Sequence, residues 1–438
     1  MTPRRRAARA CSAGLALALL AAAAALRAET LEDAWGRALA HDAALAAATA
    51  ESEAAAAGER AARGARLPQL GVDASYMRLS EAPALEIDMP GGTVFRSPPI
   101  FPHDAVVMGS ASLRQPLYTG GRITSGIEAA RQAARAAGAQ ESATRSALKL
   151  RVAQRYVAVQ RSRRALAAAE AGVTSLKAHV SDVQAMVESE SVARADLLAA
   201  RVALADAEQS RVRAVSAAAL AVAGYNRLLG EPLGREPELD ERLPLDSALA
   251  TQAIGELSAT AMGRRSELAG LDAQARALAA RARAESGGLL PQLALSAGYT
   301  HLSNQILDRE QLTMVGAGFT WNLFDGGQAR YRAASLRAAS RAARHRAEDQ
   351  RSLIELEVRQ AWLGVAEARA RVLASREAAA QAEENLRMAR ELYGAGLGTN
   401  TQVLAAVALQ VTAANNRDDA QLDESLAQLT LAHAVGEL

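Results

Sequence analysis

Thiols, aromatic rings and lysines are nearly absent from this 438-residue chain, which carries one cysteine, 3% aromatic residues and basic groups that are almost all arginine. The one thiol, Cys11, precedes an apolar run near the N-terminus, so a chain that has lost its leader keeps no cysteine. That excludes disulfides, thiolate metal sites and cysteine catalysis. A large globular core draws on aromatic rings for buried area. An alanine-rich chain without them suits long helices that approach closely. His41, His103, His179, His301, His345 and His433 are scattered, with no paired-histidine or Cys/His spacing, and no G-x-S-x-G or phosphate loop occurs. Glu188, Glu190 and Asp196 cluster, but a helix end in water is a poor place to raise a pKa for acid–base work. The chain reads as a non-enzyme with no cofactor. No basic run interleaved with aromatics follows the first ten residues, which excludes nucleic acid as a partner.

The N-terminus has the layout of a secretory leader. Arg4, Arg5, Arg6 and Arg9 precede an apolar stretch from Ala13 to Leu26, and Leu26-Arg27-Ala28 forms a small-residue cleavage site before Glu29. The stretch is too short and wrongly flanked for a lasting membrane helix. Cys11 lies ahead of the apolar stretch rather than at its end, so lipidation is not expected there. Loss of residues 1–28 removes five arginines and no acids, taking the net charge from +2 to −3.

An internal duplication organises the rest. Thr30-Leu31-Glu32-Asp33-Ala34 opens a helical pattern running to Leu67-Pro68-Gln69-Leu70. Gln252-Ala253-Ile254-Gly255-Glu256-Leu257 opens another running to Leu290-Pro291-Gln292-Leu293, so Pro68 and Pro291 set an offset of 223. Further on, Leu117-Tyr118-Thr119-Gly120-Gly121 matches Leu323-Phe324-Asp325-Gly326-Gly327, and Gly120 and Gly326 set an offset of 206. That second offset also pairs Tyr156 with Trp362 and Gly230-Glu231 with Gly436-Glu437. The 17-residue difference falls in a Pro/Gly-rich stretch from about Met77 to Ala105. Each half reads helix, strand, loop, strand, long helix, turn, long helix. The expected organisation is a leader at 1–28 and a first repeat at 29–230, with strands about 68–77 and 106–117 and a hairpin about 121–229. A linker at 231–251 leads to a second repeat at 252–438, with strands about 291–301 and 313–323 and a hairpin about 327–436.

Two periods coexist in each half. The strands alternate every second residue: Leu70, Val72, Ala74 and Tyr76 oppose Gln69, Gly71, Asp73 and Ser75, and Val315, Ala317, Phe319 and Trp321 oppose Gly316, Gly318 and Thr320. At about ten residues, each run matches what a tilted strand needs to cross a bilayer, though alternation alone also fits a soluble sandwich. Tyr118, Trp321 and Phe324 stand where an interfacial aromatic girdle would lie. In the helices Val152, Val159, Leu166, Val173, Val180 and Val187 recur every seventh residue, the spacing of a coiled-coil seam. A helix from Gly121 to about Met186 would be on the order of 100 Å long. Four membrane strands cannot close a barrel, because an open edge leaves backbone groups unsatisfied in lipid. Three copies would supply twelve strands and wrap their helices into a tube beneath.

This order of elements, with Leu-Pro-Gln-Leu before the strands and the Gly-Gly turns after them, resembles the TolC-like outer-membrane efflux family over essentially the whole mature chain. The resemblance implies a mainly α protomer with membrane β-strands, three of which form a 12-stranded β-barrel on an α-helical coiled-coil tunnel. It implies a homotrimer in the outer membrane of a Gram-negative bacterium with a periplasmic extension. Its partners would be outer-membrane lipid, a periplasmic adaptor and an inner-membrane transporter of RND or ABC type, serving tripartite efflux or type I secretion as a passive conduit. The segment Tyr393 to Leu404 looks like the family's second periplasmic tip, and Ser189 to Leu198 is its first-hairpin counterpart. In the family these tips contact the adaptor, which carries docking over to Ser191, Val192, Ala193, Gly396, Leu397, Gly398 and Thr399. A tip tyrosine and an aspartate of the neighbouring hairpin help hold the family's aperture shut; Tyr393 and Asp196 match them, as a phenol–carboxylate hydrogen bond. Gln402 and Ala405 stand where well-known members carry acidic rings, so cation blockage there is not expected. The competing reading is a periplasmic adaptor, which has one hairpin between β-rich halves where this chain has two hairpins and four membrane-length strands.

Overall fold

The computed structural model describes residues 28–101, 105–241, 243, 248–303 and 308–438. The leader proper, with Cys11, lies outside the described residues, as does His103. The chain runs α1 (Leu31–His41), α2 (Ala43–Gly64), β1 (Gln69–Arg78), β2 (Glu86–Met89), β3 (Thr93–Arg96), β4 (Ala105–Tyr118), α3 (Arg122–Glu188) and α4 (Arg194–Leu229). A 3-10 turn at Leu249–Thr251 precedes α5 (Ile254–Arg264), α6 (Ser266–Gly287), β5 (Gln292–Leu302), β6 (Gln311–Thr320), α7 (Gln328–Gly394) and α8 (Asn400–Val435).

The duplication is kept in every helix length. Helices α1 and α5 have 11 residues, α2 and α6 have 22, α3 and α7 have 67, and α4 and α8 have 36. Backbone conformation follows the same rule. Glycines 120 and 326, 121 and 327, and 230 and 436 all have positive φ and are paired by the offset of 206. Where one helical pattern was expected from Thr30 to Leu67, the structure has two helices. Asp42 ends α1 in an extended conformation, and its carboxylate accepts from the Leu45 N–H at 2.8 Å to start α2. Arg265, its counterpart, breaks the second half in the same place.

The chain folds as two compact units, each built from both halves of the duplication. One comprises residues 49–140 and 267–349 and holds an antiparallel sheet in the order β1-β4-β5-β6. Cross-strand rows keep the faces apart: Leu70 pairs with Leu113, Leu113 with Ala297 and Ala297 with Val315 on one face. Gly71, Ser112, Gly298 and Met314 form a row on the other. The apolar face is open, with Leu70, Val72, Tyr76 and Val315 all largely exposed. Strand β6 stops at Thr320, short of the expected 323, because Pro291 has no N–H to extend the ladder beyond Gln292. The expected loop between β1 and β4 contains a small hairpin, β2–β3, turned through Gly91 and Gly92 at positive φ. Gly120 and Gly287 approach so closely that a Cβ on either would collide with the other's carbonyl.

The other unit comprises the described residues up to 48 with those of 141–266 and 350–438. Of the six heptad positions, Val152, Val159 and Val173 are buried and Leu166, Val180 and Val187 are half-buried. A polar clasp closes the N-terminal end of this core. Glu29, immediately after the expected cleavage point, ion-pairs with Arg37, and its Oε1 accepts from the Tyr225 hydroxyl at 2.5 Å. Tyr156 donates to the carbonyls of Glu29 and Asp240, at 2.8 and 2.7 Å, and packs edge-on against Tyr225. Asn226, fully buried, donates to the carbonyls of Pro232, Leu233 and Arg235, fixing the segment after α4. Burial, then the bond to Glu29, pushes the Tyr225 phenol far above its ordinary range.

Candidate functional site at the hairpin tips

Both long hairpins turn by the same backbone device. In the first, Glu190 N–H donates to Val187 carbonyl and Ser191 N–H to Met186 carbonyl, at 3.0 and 2.8 Å. In the second, Gly396 N–H donates to Tyr393 carbonyl and Leu397 N–H to Leu392 carbonyl, at 3.0 and 2.8 Å. The pattern closes the last turn of α3 and of α7 through a left-handed residue, Glu190 in one and Gly396 in the other. Beyond it, Gly398 sits where a Cβ would crowd the Leu392 and Tyr393 backbone. Thr399 then caps α8, its hydroxyl accepting from the Gln402 N–H while the Gln402 side chain accepts from the Thr399 N–H.

The tip residues expected from the sequence fall into two groups. Ser191, Ala193, Gly396, Leu397 and Thr399 are exposed, with Val192 and Gly398 half-buried, so the two turns present an accessible rim. Gln402 and Ala405 are both exposed, three residues apart on one face of α8. Gln402 is committed to the capping box, which gives this position a local reason to carry an amide.

Tyr393 is buried, and its hydroxyl has no hydrogen-bond partner among the described residues. The expected Tyr393–Asp196 hydrogen bond is therefore not formed in the single chain. The Asp196 carboxylate is still near enough that its charge, after burial, raises the Tyr393 pKa. A group that the sequence did not reveal lies beside it. His179 Nε2 is 2.8 Å from Asn400 Oδ1, and Asn400 Nδ2 donates to the Asp196 carbonyl at 2.9 Å. The His179 and Tyr393 ring centroids are 5.5 Å apart. Leu176, Val183, Leu197, Leu386, Val403 and Val407 surround the group. A lone histidine 221 residues from its partner carries no local signal; the only hint is an asparagine directly after a complete N-cap.

At the sheet, Tyr118 ends β4 opposite Leu293, while Trp321 and Phe324 follow the end of β6. All three rings are exposed at the same end of the sheet, and the Trp321 indole donates to the Leu289 carbonyl at 3.0 Å. Amphipathic rings with one polar anchor fit a lipid–water boundary.

A duplicated protomer with bilayer-length strands, an open apolar sheet face and two long helical hairpins defines a class of membrane-channel subunit. The outer membrane efflux protein family matches residues 34–231 and 257–437. The chain belongs to that family. Solved structures agree on the fold. VceC from Vibrio cholerae superposes with a TM-score of 0.78 at 19% identity, covering 93% of this chain and 96% of that one. CmeC from Campylobacter jejuni gives 0.79 at 15% identity, covering 93% and 86%. The open-state MtrE channel of Neisseria gonorrhoeae gives 0.76 at 17%, covering 93% and 88%. No curated protein matches the chain by sequence. The protein is thus an outer-membrane efflux channel component of a family of conduits rather than enzymes, and the adaptor reading has no support.

Proposed function

We propose that three copies of this chain form one passive conduit, with the sheets closed into a 12-stranded barrel in the outer membrane of a Gram-negative cell. The helical hairpins extend into the periplasm, where the rim of Ser191, Val192, Ala193, Gly396, Leu397, Gly398 and Thr399 receives a periplasmic adaptor. An inner-membrane transporter of RND or ABC type supplies the cargo. Tyr393 and Asp196 stand at the aperture, and Gln402 and Ala405 line it without charge. Tyr118, Trp321 and Phe324 form the girdle in outer-membrane lipid. A leader ending at Ala28 directs export, and residues 231–251 link the two repeats.

The observation that carries the trimer is the duplication itself. Strands β1 and β6 are the free edges of the sheet, which lipid cannot satisfy. Applying the two offsets to the β4–β5 pairing generates a β6–β1 pairing between copies. Leu113 opposite Ala297 becomes Phe319 opposite Ala74 of the partner subunit, apolar face to apolar face. Likewise the Gly120–Gly287 contact maps onto Gly326 and Gly64, two glycines that face open space in the single chain. Exposed Val202 and Leu220 on α4 and Leu373 on α7 offer further apolar surface for neighbouring copies.

Cysteine pairs test the seam, since Cys11 is lost with the leader. A74C/F319C should yield covalently linked trimers under oxidation, because opposed Cβ atoms lie about 5 Å apart. D73C/F319C should not, because adjacent residues point to opposite faces. Crosslinking of the second pair and not the first would sink this register.

A further inference from the structure

Four helices each bring one group to a single buried point between the tips: His179 from α3, the Asp196 carbonyl from α4, Tyr393 from α7 and Asn400 from α8. Asn400 is 3% and His179 4% exposed. The amide of Asn400 is used at both ends. Its Oδ1 can only accept, so the His179 proton facing it is on Nε2, and its Nδ2 donates to the Asp196 carbonyl. Asparagine is a poor helix former, and nothing in α8 requires one here, because Thr399 and Gln402 already cap that helix. Its side chain serves only the contact with the first hairpin.

The arrangement also breaks the duplication. At the equivalent places stand Asn385 for His179 and Arg194 for Asn400, both exposed, and Val187 for Tyr393. Each chain therefore holds one such bridge, tying its second tip to its first. The two hydrogen bonds join α3, α4 and α8, so separating the tips breaks both.

We propose that the His179–Asn400–Asp196 carbonyl bridge, rather than a Tyr393–Asp196 side-chain bond, is the intrachain restraint that keeps the tips together and holds the aperture closed. This rests on the reading of the tips as the aperture. His179 and Asn400 are positioning residues: they touch no cargo and act by fixing the start of α8 against α3 and α4.

The test uses the full mature chain with spin labels at the exposed positions Ser191 and Leu397, and the same variants in planar bilayers. His179→Leu and Asn400→Leu should lengthen and broaden the label distance and raise single-channel conductance several-fold. His179→Gln, whose amide nitrogen can stand in for Nε2–H, should keep both at the wild-type values. An H179C/N400C pair covers the case in which the leucine variants do not fold: conductance should stay low when oxidised and rise on reduction. Unchanged label distances in both leucine variants overturn the bridge. Lengthened distances with unchanged conductance overturn instead the aperture reading on which it rests.

Discussion

Glu190 and Gly396 share the left-handed backbone region, with φ of +58° and +75°, at equivalent points of the two hairpin tips. Glycine adopts that conformation without steric cost, whereas a side chain pays about 1 kcal/mol. Glu190→Gly should therefore leave stability unchanged or raise it by up to about 1 kcal/mol. Gly396→Ala should lower it by about the same amount, although open space surrounds the missing Cβ. Urea unfolding of the purified trimer reads both. Equal destabilisation by the two would mean that the turn geometry, not the residue, sets the cost.

Tyr225 and Glu29 give a pH-dependent expectation. Tyr225→Phe deprives a buried carboxylate of its donor and leaves it to Arg37 alone, at a cost of about 1–3 kcal/mol at neutral pH. Burial first, and the Glu29 bond second, raise the folded-state pKa above that of the unfolded chain. The stabilisation is then whole below the unfolded value of about 10 and is lost as pH rises above it. Denaturation midpoints should fall more steeply above about pH 10 in the wild type than in Tyr225→Phe. Parallel slopes would place the alkaline sensitivity elsewhere.

Ala405 tests the uncharged aperture. It is exposed on α8 and plays no part in the cap, so Ala405→Asp should fold normally. Three copies would then place three carboxylates around one constriction, a site for multivalent cations at low salt. Conductance of the variant should fall when millimolar divalent or trivalent cations are added, and that of the wild type should not. A variant as insensitive as the wild type would remove Ala405 from the lining.

Regular periods and the duplication were legible in the residues. Val152, Val159 and Val173 of the heptad series are buried, with Leu166 between them half-buried, and the alternating sets around Leu70 and Val315 lie on one sheet face. Non-periodic features were not. The break at Asp42 depends on one carboxylate accepting from the Leu45 N–H, inside a stretch whose alanines favour an unbroken helix. The β2–β3 hairpin is four residues a side, too short for alternation to register above loop composition, though Gly91-Gly92 marks its turn. At the tip, Tyr393 and Asp196 were singled out by resemblance, whereas the His179–Asn400 contact joins residues 221 apart and exists only once the hairpins pack.

The matched helix lengths carry a consequence for how such a chain can vary. One residue added to α3 would rotate everything beyond it by about 100°, turning the buried seam toward solvent. Inheritance has accordingly left 67 and 36 residues in both halves and confined the 17-residue difference to the span between β1 and β4. That span, with Gly91 and Gly92 at its turn, is where the polypeptide has room to accept new sequence. An epitope grafted there would make the same chain a display scaffold.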